Sequence, residues 1–365
     1  MIKLIHAADF HLDAPFSALS PTQAAQRREE QRALLERLAD LCEREGAQLL
    51  FLAGDVLDGG NTYHETTQAL ARILGGVKAR VFIAPGNHDF YSPRSPWAAT
   101  AWPENVHIFR GTEVEQVELP DLNCVVYGAA FTAPVRDDSP LAGFAAPADG
   151  RIHLMCVHGD VDGKGRYGNI SLMEIADSNL DYLALGHVHA RSGLGRAGKT
   201  GWAYPGCPEG RGFDELGEKG VLCGTVDKGS ARMDFVPLAG RKYEILSVDV
   251  SGEDPATALA EALPKDAKRN IYRILLTGES GVEGLNMPEL ESVAEPFFYS
   301  VSLRDRTRVR ADLWSRAEED SLTGLFLREM KARLEHSEDD AERETLELAV
   351  RFGLAALENR EECRA

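Results

Sequence analysis

The chain has 365 residues, with 58 acidic and 40 basic side chains and a formal net charge of -18. The length indicates two domains or one large domain with an appendage. The excess of acidic side chains argues against extensive nonspecific binding of nucleic acid, because affinity for phosphate depends on Lys and Arg. It does not exclude a nucleic-acid enzyme, since bound divalent cations or a partner subunit can supply positive charge.

The apolar runs and the cysteines predict a cytoplasmic protein. The apolar fraction of 44% is ordinary for a globular protein, and no apolar run is long enough to span a bilayer. The first residues lack the apolar core and cleavage site of a signal peptide. The six Cys are scattered without a C-x-x-C pair, which is typical of buried thiols in a reducing compartment and argues against a thiolate zinc site.

The first 84 residues alternate between short apolar runs and longer amphipathic stretches. The first helix has a clear start, with Ser20 as the N-cap, Pro21 at the first helical position and Gln23 three residues after the cap, and it is expected to end near Gly46. Alternating strands and helices are typical of a parallel sheet covered on both faces. The predicted strands are 2–8, 49–53 and 81–84, and the predicted helices are 20–46 and 65–74.

The next part of the chain predicts a second sheet. Strand-like runs occur at 114–119 and 124–127, buried strands at 152–157 and 182–185, and a short helix at 171–176. The runs at 202–206 and 220–224 are expected to be antiparallel strands that close this second sheet. The predicted fold class is therefore α/β, with two sheets packed as a sandwich and flanked by helices.

The character of the sequence changes near Arg241. Residues 241–310 predict a small α+β module, and residues 311–365 are helical and highly charged, with an apolar stripe that packs on the body or docks on a partner. The expected domains are thus 1–240, 241–310 and 311–365.

Five fragments each place Asp, His or Asn directly after an apolar, strand-like run. Half of the ten His in the chain fall in them. A single such fragment is usually a hydrogen-bonded loop, but five together point to one site, because the binding crevice of an α/β sheet lies at the carboxyl ends of its strands. The fragments are Asp9-x-His11, Gly54-Asp55-x-x-Asp58, Gly86-Asn87-His88-Asp89, His158-Gly159-Asp160 and Gly186-His187-x-His189.

The donor types in these fragments indicate a metal centre. Mixed imidazole and carboxylate ligands suit zinc, iron and manganese. About seven donors exceed what one tetrahedral ion needs. They suit two ions about 3.5–4 Å apart that share a bridging carboxylate.

In this order, the fragments resemble the calcineurin-like metallophosphoesterase superfamily over residues 9–189. The resemblance implies a catalytic domain at 1–240 that holds two divalent ions, with Asp55 as the bridge between them. Manganese is the expected metal, with iron, zinc and magnesium as alternatives. The implied metal ligands are Asp9, His11, Asp55, Asn87, His158, His187 and His189.

The same resemblance implies two catalytic residues that do not bind metal. His88 is expected to protonate the leaving oxygen or stabilise charge on the phosphoryl group, and Asp58 is expected to orient and charge His88. The implied reaction is hydrolysis of a phosphoester bond by a hydroxide that bridges the two metals.

The segment from Tyr204 to Gly220 narrows the resemblance to SbcD-like and YhaO-like DNA repair exonucleases, and the module after Arg241 is similar to their capping domain. Arg211 in this segment either contacts a substrate phosphate or forms a surface ion pair. One position departs from the pattern: nucleases of this group carry a His where this chain has Asp58. An Asp at this position is found in many phosphatases of the superfamily. Such nucleases work beside a coiled-coil ATPase of the SbcC type, and many form homodimers.

Three functions follow from these observations. The first is a metal-dependent DNA exonuclease in DNA repair, with DNA and an SbcC-like ATPase as partners. The second is a phosphatase or phosphodiesterase for a small nucleotide or a phosphoprotein, which Asp58 and the acidic charge favour. The third is a metal-bound scaffold subunit that recruits the ATPase, although the full set of ligands and His88 argue against it.

Overall fold

A computed structural model describes residues 1–17, 19–59, 62–163, 165–252, 254–281, 284–309, 314–337 and 339–357. The chain forms two compact units. The first unit contains Met1–Arg211 and Gly217–Gly240, and the second contains Gly212–Leu216 and Arg241–Ala365. Residues 310–313, 338 and 358–365, on which the predicted third domain and its boundary partly depend, lie outside the described residues. The division into three domains stays a prediction.

The first sheet of the first unit has six strands in the order β12-β11-β1-β2-β3-β4. Strands β1 to β4 are parallel, whereas β11 pairs antiparallel with both β1 and β12. The strands are β1 Ile2–Ala7, β2 Leu49–Leu52, β3 Arg80–Ile83, β4 Val106–Ile108, β11 Gly220–Asp227 and β12 Ser230–Pro237.

The second sheet also has six strands, in the order β5-β6-β7-β8-β10-β9. Its four inner strands are parallel, and the edge strands β5 and β9 are antiparallel to their neighbours. The strands are β5 Glu115–Leu119, β6 Cys124–Gly128, β7 Ile152–His158, β8 Tyr182–Gly186, β9 Gly195–Ala197 and β10 Thr200–Ala203.

One sequence expectation about these sheets is wrong. The runs near 202 and 220 do not close the second sheet as an antiparallel pair. β10 lies parallel to β8, and β11 instead crosses to the first sheet, where Leu4 lies opposite Gly224. Strand β12 then pairs with β11 as a hairpin. The alternation of apolar and polar residues predicts a strand, but it does not show with which sheet the strand pairs.

Helices cover the outer faces. Helix α1 confirms its predicted ends: Ser20 and Gln23 form a capping box, Pro21 is the first helical residue and Gly46 ends the helix in a left-handed conformation. The α-helices are α1 Pro21–Glu45, α2 His64–Gly76, α3 Pro96–Ala99 and α4 Leu172–Asp177, and a 3-10 turn covers Pro120–Leu122.

The core of the first unit has layers that explain why the strands are apolar on both faces. Between the two sheets, residues such as Phe51, Phe82 and Leu154 are buried together. A second cluster, with Leu38 and Leu70, lies between the first sheet and helices α1 and α2. The predicted two-sheet α/β fold is confirmed.

The second unit alternates strands and helices around a parallel sheet. The three strands have the order β13-β14-β16, and a separate parallel pair is formed by β15 and β17. The elements are β13 Tyr243–Asp249, α5 Pro255–Ala262, β14 Ile271–Thr277, β15 Glu279–Ser280, α6 Met287–Ala294, β16 Ser300–Asp305, β17 Arg308–Val309, α7 Leu322–His336 and α8 Asp340–Leu357, with 3-10 turns at Glu295–Phe297 and Arg316–Glu318. Over the described ranges, no helix has both the length and the apolar composition needed to cross a membrane.

Candidate metal centre

The predicted site residues follow the carboxyl ends of five parallel strands. Asp9 follows β1, Asp55 follows β2 and Asn87 follows β3, all in the first sheet. His158 is the last residue of β7 and His187 comes directly after β8, in the second sheet. Because both sheets end their parallel strands at the same end of the sandwich, the five loops meet in one place.

The backbone at these loops is held in unusual conformations. Asp9, His11, Asp55 and His187 have φ of 56°, 45°, 50° and 107°, a region that side chains other than Gly rarely occupy. Each such residue costs free energy that the surrounding fold must offset. Strain of this kind, concentrated at four of the seven predicted ligands, is typical of a functional site.

Two glycines are required by close approach at this site. A Cβ atom on Gly86 would overlap Asp55 Oδ1, and one on Gly54 would overlap the ring of His158 at Nδ1. Gly54 also has a φ of 87°. Any larger residue at either position would push these side chains apart.

One part of the site contains Asp9, His11, Asp55 and His189. Both oxygens of the Asp9 carboxylate accept from the His187 N–H, at 3.0 and 3.2 Å. His11 Nε2 lies 3.2 Å from His189 Nε2 and 3.7 Å from Asp55 Oδ2. Asp9, His11 and His189 each offer an atom to one common position.

A second part contains Asn87, His158 and His187, with Asp55 again adjacent. His158 Nδ1 donates to the Ala53 carbonyl at 2.9 Å. Its other nitrogen, Nε2, lies 3.0 Å from Asn87 Oδ1 and 3.5 Å from Asp55 Oδ2. His187 Nδ1 is 3.3 Å from the same Asn87 oxygen.

Burial determines the protonation of these groups. It lowers the pKa of His158 below its ordinary value, and it lowers the pKa of His11 and of His187 to about 4, so all three rings are neutral at pH 7. Burial, together with the nearby Asp55 charge, raises the pKa of Asp9 well above its ordinary value. Two buried carboxylates therefore repel each other in the absence of a cation.

This protonation pattern tests whether metal ions fit the residues. A neutral His158 has one ring proton, which Nδ1 gives to Ala53, so its Nε2 faces Asn87 Oδ1 and Asp55 Oδ2 as a third acceptor. Three acceptors within hydrogen-bonding range but without a proton between them are unfavourable unless a cation lies among them. The donor set fits divalent metal ions.

His88 and Asp58 lie at the open side of the site, but their contact differs from the expectation. The carboxylate of Asp58 accepts a hydrogen bond from His11 Nδ1 at 3.1 Å, whereas His88 Nδ1 is 3.8 Å away. His11 thus has its Nε2 free to face the metal positions. The side chain of His88 is 52% exposed, and its backbone N–H donates to Asp55 Oδ1 at 2.9 Å.

Arg211 belongs to the site. Its Nη2 lies 3.2 Å from His189 Nδ1, and its charge acts on Asp9, His11 and Asp58. The structure therefore brings together all ten residues that the sequence singled out.

Sequence reasoning missed residues that support the loops. The buried carboxylate of Asp89 accepts from four backbone N–H groups, those of Asp55, Val56, Leu57 and Gly86. Burial, followed by the charge of Asp55, raises the pKa of Asp89 to about 7. The only sequence signal was its place after His88 in the motif. A carboxylate that ties the second loop to the third cannot be distinguished by sequence from one that binds metal.

Comparison with known proteins decides the family. The sequence pattern of the calcineurin-like phosphoesterases matches residues 2–191, which is more than half of the chain. The chain belongs to the calcineurin-like phosphoesterase family. Its members typically hold a binuclear metal centre, and the described part of this chain has candidate ligand groups for one. Family membership implies a phosphoester hydrolase.

Two curated relatives place this phosphoesterase within the family. It is 27% identical over 343 residues to the uncharacterized metallophosphoesterase YhaO of Bacillus subtilis, covering 86% of this chain and 83% of YhaO. It is 32% identical over 93 residues to the SbcD component of nuclease SbcCD from Rhodobacter capsulatus, covering 24% of this chain and 22% of that protein. The predicted relation to YhaO-like and SbcD-like proteins is confirmed. A solved structure of TT1561 of Thermus thermophilus matches 64% of this chain and 98% of its own, at 12% identity and a TM-score of 0.41.

Proposed function

We propose that this phosphoesterase hydrolyses phosphodiester bonds of DNA, as a metal-dependent exonuclease. The observation that carries the phosphoesterase chemistry is the convergence of neutral imidazole, amide and carboxylate acceptors on shared positions without protons between them. The preference for DNA is supported by the similarity to one component of a nuclease over 93 residues.

Asp9, His11, Asp55 and His189 would hold one ion, and Asp55, Asn87, His158 and His187 the other. Asp55 lies within 3.7 Å of His11 and 3.5 Å of His158, which suits a shared ligand. We expect manganese, with iron, zinc or magnesium as alternatives. When bound, two such cations would draw electron density from phosphoryl oxygens and lower the pKa of water, so that it attacks at neutral pH.

His88 would protonate the leaving oxygen. It is the exposed imidazole of the site, so a substrate can reach it, and its backbone is tied to Asp55. The Asp58 carboxylate lies within ion-pair range of His88 and would favour the protonated ring when the phosphodiester binds. A general acid of this kind typically contributes about 10²–10⁴-fold to the rate.

Arg211 would bind a non-bridging oxygen of the phosphodiester. Its guanidinium remains charged at every relevant pH and matches phosphate geometry. Because it contacts His189 on the metal side of the site, a phosphate held by Arg211 would lie next to the metal positions.

The test compares two substrates with Mn²⁺ present. We expect the purified protein to release nucleotides from the ends of linear duplex DNA and also to cleave bis(4-nitrophenyl) phosphate. Asp55→Asn should lose both activities, and His336→Ala, which changes an exposed His in the second unit, should lose neither.

Each result has a distinct meaning. Hydrolysis of the aryl diester with no DNA cleavage above the level of Asp55→Asn would favour a small-molecule phosphodiesterase, the alternative that Asp58 supports. No hydrolysis of either substrate, with metals bound, would favour the scaffold alternative.

We also propose a cytoplasmic location and an SbcC-like ATPase as partner, with a homodimer as one form of the protein. The five Cys in the described residues form no disulfide, which suits a reducing compartment. The partner rests on the similarity to the SbcD component over 93 residues. Co-purification with the ATPase encoded by the same organism, and the mass in solution, test these proposals.

A further inference from the structure

The side of helix α1 that faces the site carries buried polar groups that hold two functional loops. Gln31 Nε2 donates to the backbone carbonyls of Phe10 and His11, at 3.1 and 3.3 Å. One turn earlier on the same face, Arg27 Nη2 donates to the Gly210 carbonyl at 3.1 Å. Gly210 directly precedes Arg211.

Arg27 also forms a buried ion pair. Its Nη2 is 3.3 Å from Glu209 Oε2, and the side chains of Arg27 and Glu209 are 0% and 2% exposed. The other oxygen of Glu209 accepts from the Gly240 N–H at 3.0 Å. Arg27 Nη1 contacts Glu30 on the next turn, so its guanidinium is held at both ends. The two residues before Arg211 are therefore fixed in position.

A buried ion pair is weak support for stability, because desolvation of both charges opposes it, but it can specify one arrangement. The arrangement specified here is the position of the Arg211 loop relative to the His11 loop. Arg27 holds the first loop and Gln31 holds the second. We propose that the Arg27–Glu209 pair positions Arg211 to bind the phosphate of the substrate. This inference rests on the proposed role of Arg211.

Arg27 and Glu209 are thus positioning residues that touch neither substrate nor metal. Without the pair, the Gly210 carbonyl loses its donor and the Arg211 side chain samples more than one direction. Binding of phosphate then weakens, while the groups that carry out the chemistry stay in place. The effect should appear mainly in KM and in the affinity for free phosphate.

The experiment is a double-mutant cycle between Arg27 and Arg211 with bis(4-nitrophenyl) phosphate and Mn²⁺. Arg27→Met keeps the apolar stem and removes the guanidinium. We expect KM to rise about tenfold, the loss of about one hydrogen bond to a charged group, with kcat within about twofold. In the Arg211→Ala background, Arg27→Met should have no further effect on KM.

A second pair of variants separates positioning from folding. Arg27→Met removes the cation that pairs with the buried Glu209 and should lower Tm. Arg27→Met/Glu209→Met replaces both charges with apolar groups and should restore Tm but not KM. Arg27→Lys, which retains one charge but not the two-ended contact, should recover part of the KM effect. Glu43→Gln, which breaks the exposed Lys78–Glu43 pair, is the matched control and should change nothing.

The Kd of inorganic phosphate, measured by calorimetry on the Mn²⁺-loaded protein, gives a readout without turnover. This Kd should rise in Arg27→Met, as KM does. Three results would overturn the proposal. The effects of Arg27→Met and Arg211→Ala on KM could multiply in the double variant, Arg211→Ala could leave KM unchanged, or Arg27→Met could change Tm alone. Failure to cleave DNA would remove the DNA assignment alone, because neither the aryl diester nor phosphate depends on it.

Discussion

Buried polar groups lie at both ends of strands β7 and β8. At one end a carboxylate is surrounded by hydrogen-bond donors, and at the other end several acceptors face one another. At the start of β7, the Asp181 carboxylate accepts from the His153 and Gly229 N–H groups, at 2.7 Å each, and from Lys228 Nζ at 3.2 Å. At the end of β7, the acceptors of His158, Asn87 and Asp55 face one another.

The comparison separates polarity that serves folding from polarity that serves function. A carboxylate buried for stability is surrounded by donors, as Asp181 is. The end of the strands that carries the site has an excess of acceptors, which is unfavourable for the protein alone and favourable once cations bind. Four substitutions or conditions test this difference, in order of decreasing expected effect.

Asp55→Asn should have the largest effect. It keeps an oxygen for the His88 N–H but removes the charge shared between the two ligand sets. We expect loss of bound metal and a fall in activity of about 10³-fold, the upper range for one group that stabilises transition-state charge. Metal content by mass spectrometry and hydrolysis of bis(4-nitrophenyl) phosphate check both; retention of two metals would contradict the assignment.

His88→Ala should reduce kcat by about 10²-fold or more, the effect of removing a general acid. Metal content should stay at the parent level, because His88 is exposed and is not among the proposed ligands. His336→Ala provides the control. Full turnover in His88→Ala would show that another group protonates the leaving oxygen.

Asp181→Asn tests the folding end of the same strands. The substitution replaces one carboxylate oxygen by an NH₂ group, which then faces N–H donors that bonded to that oxygen. The free energy of unfolding should therefore fall by about 1–3 kcal/mol. Metal content and kcat should be unchanged. Denaturant unfolding measures the first, and a loss of metal would mean that the two ends are coupled.

The last prediction concerns His6 and the change in the free energy of unfolding with pH. It is buried between the sheets, where its Nε2 donates to the Leu185 carbonyl and its Nδ1 accepts from Tyr182. Burial lowers the pKa of His6 to about 3. The unfolded chain therefore binds a proton that the folded chain does not between pH 6.5 and 3, and stability is lost as pH falls through that window, by up to about 1.4 kcal/mol per unit.

His6→Gln should reduce this slope, since Gln can keep one donor and one acceptor without titrating. Buried imidazoles of the site contribute slopes of the same sign, so the difference between parent and variant isolates His6. Urea unfolding at pH 7, 6 and 5 measures it. An unchanged slope would mean that His6 is already protonated in the folded protein.

Much of the fold was predictable because its signals are local. The start and end of helix α1 were readable from Ser20, Pro21, Gln23 and Gly46, and the apolar strands predicted a two-sheet α/β protein. The short strand β4 and the strand β12 were missed, the latter because its exposed alternation resembles many surface hairpins. The sheet that accepts β11 depends on contacts more than 200 residues apart, between Ile2 and Val226 for example.

The candidate site was predictable as a set of residues but not as a geometry. All ten residues converge, yet Asp58 bonds to His11 more closely than it approaches His88. The supporting roles of Asp89, Gln31 and Arg27 were not found. Asp89 lies in a motif but cannot be told there from a metal ligand, and a Gln or Arg outside a motif gives no signal of burial.

The sequence by itself determined which donors follow each strand, because strand periodicity and motif spacing are properties of adjacent residues. It thereby determined the family and the metal-binding chemistry. Only the tertiary structure decided which donors share a position, which rings are neutral and which helix holds Arg211 in register. Those properties depend on burial and on distances between loops, which exist only after both sheets have packed together.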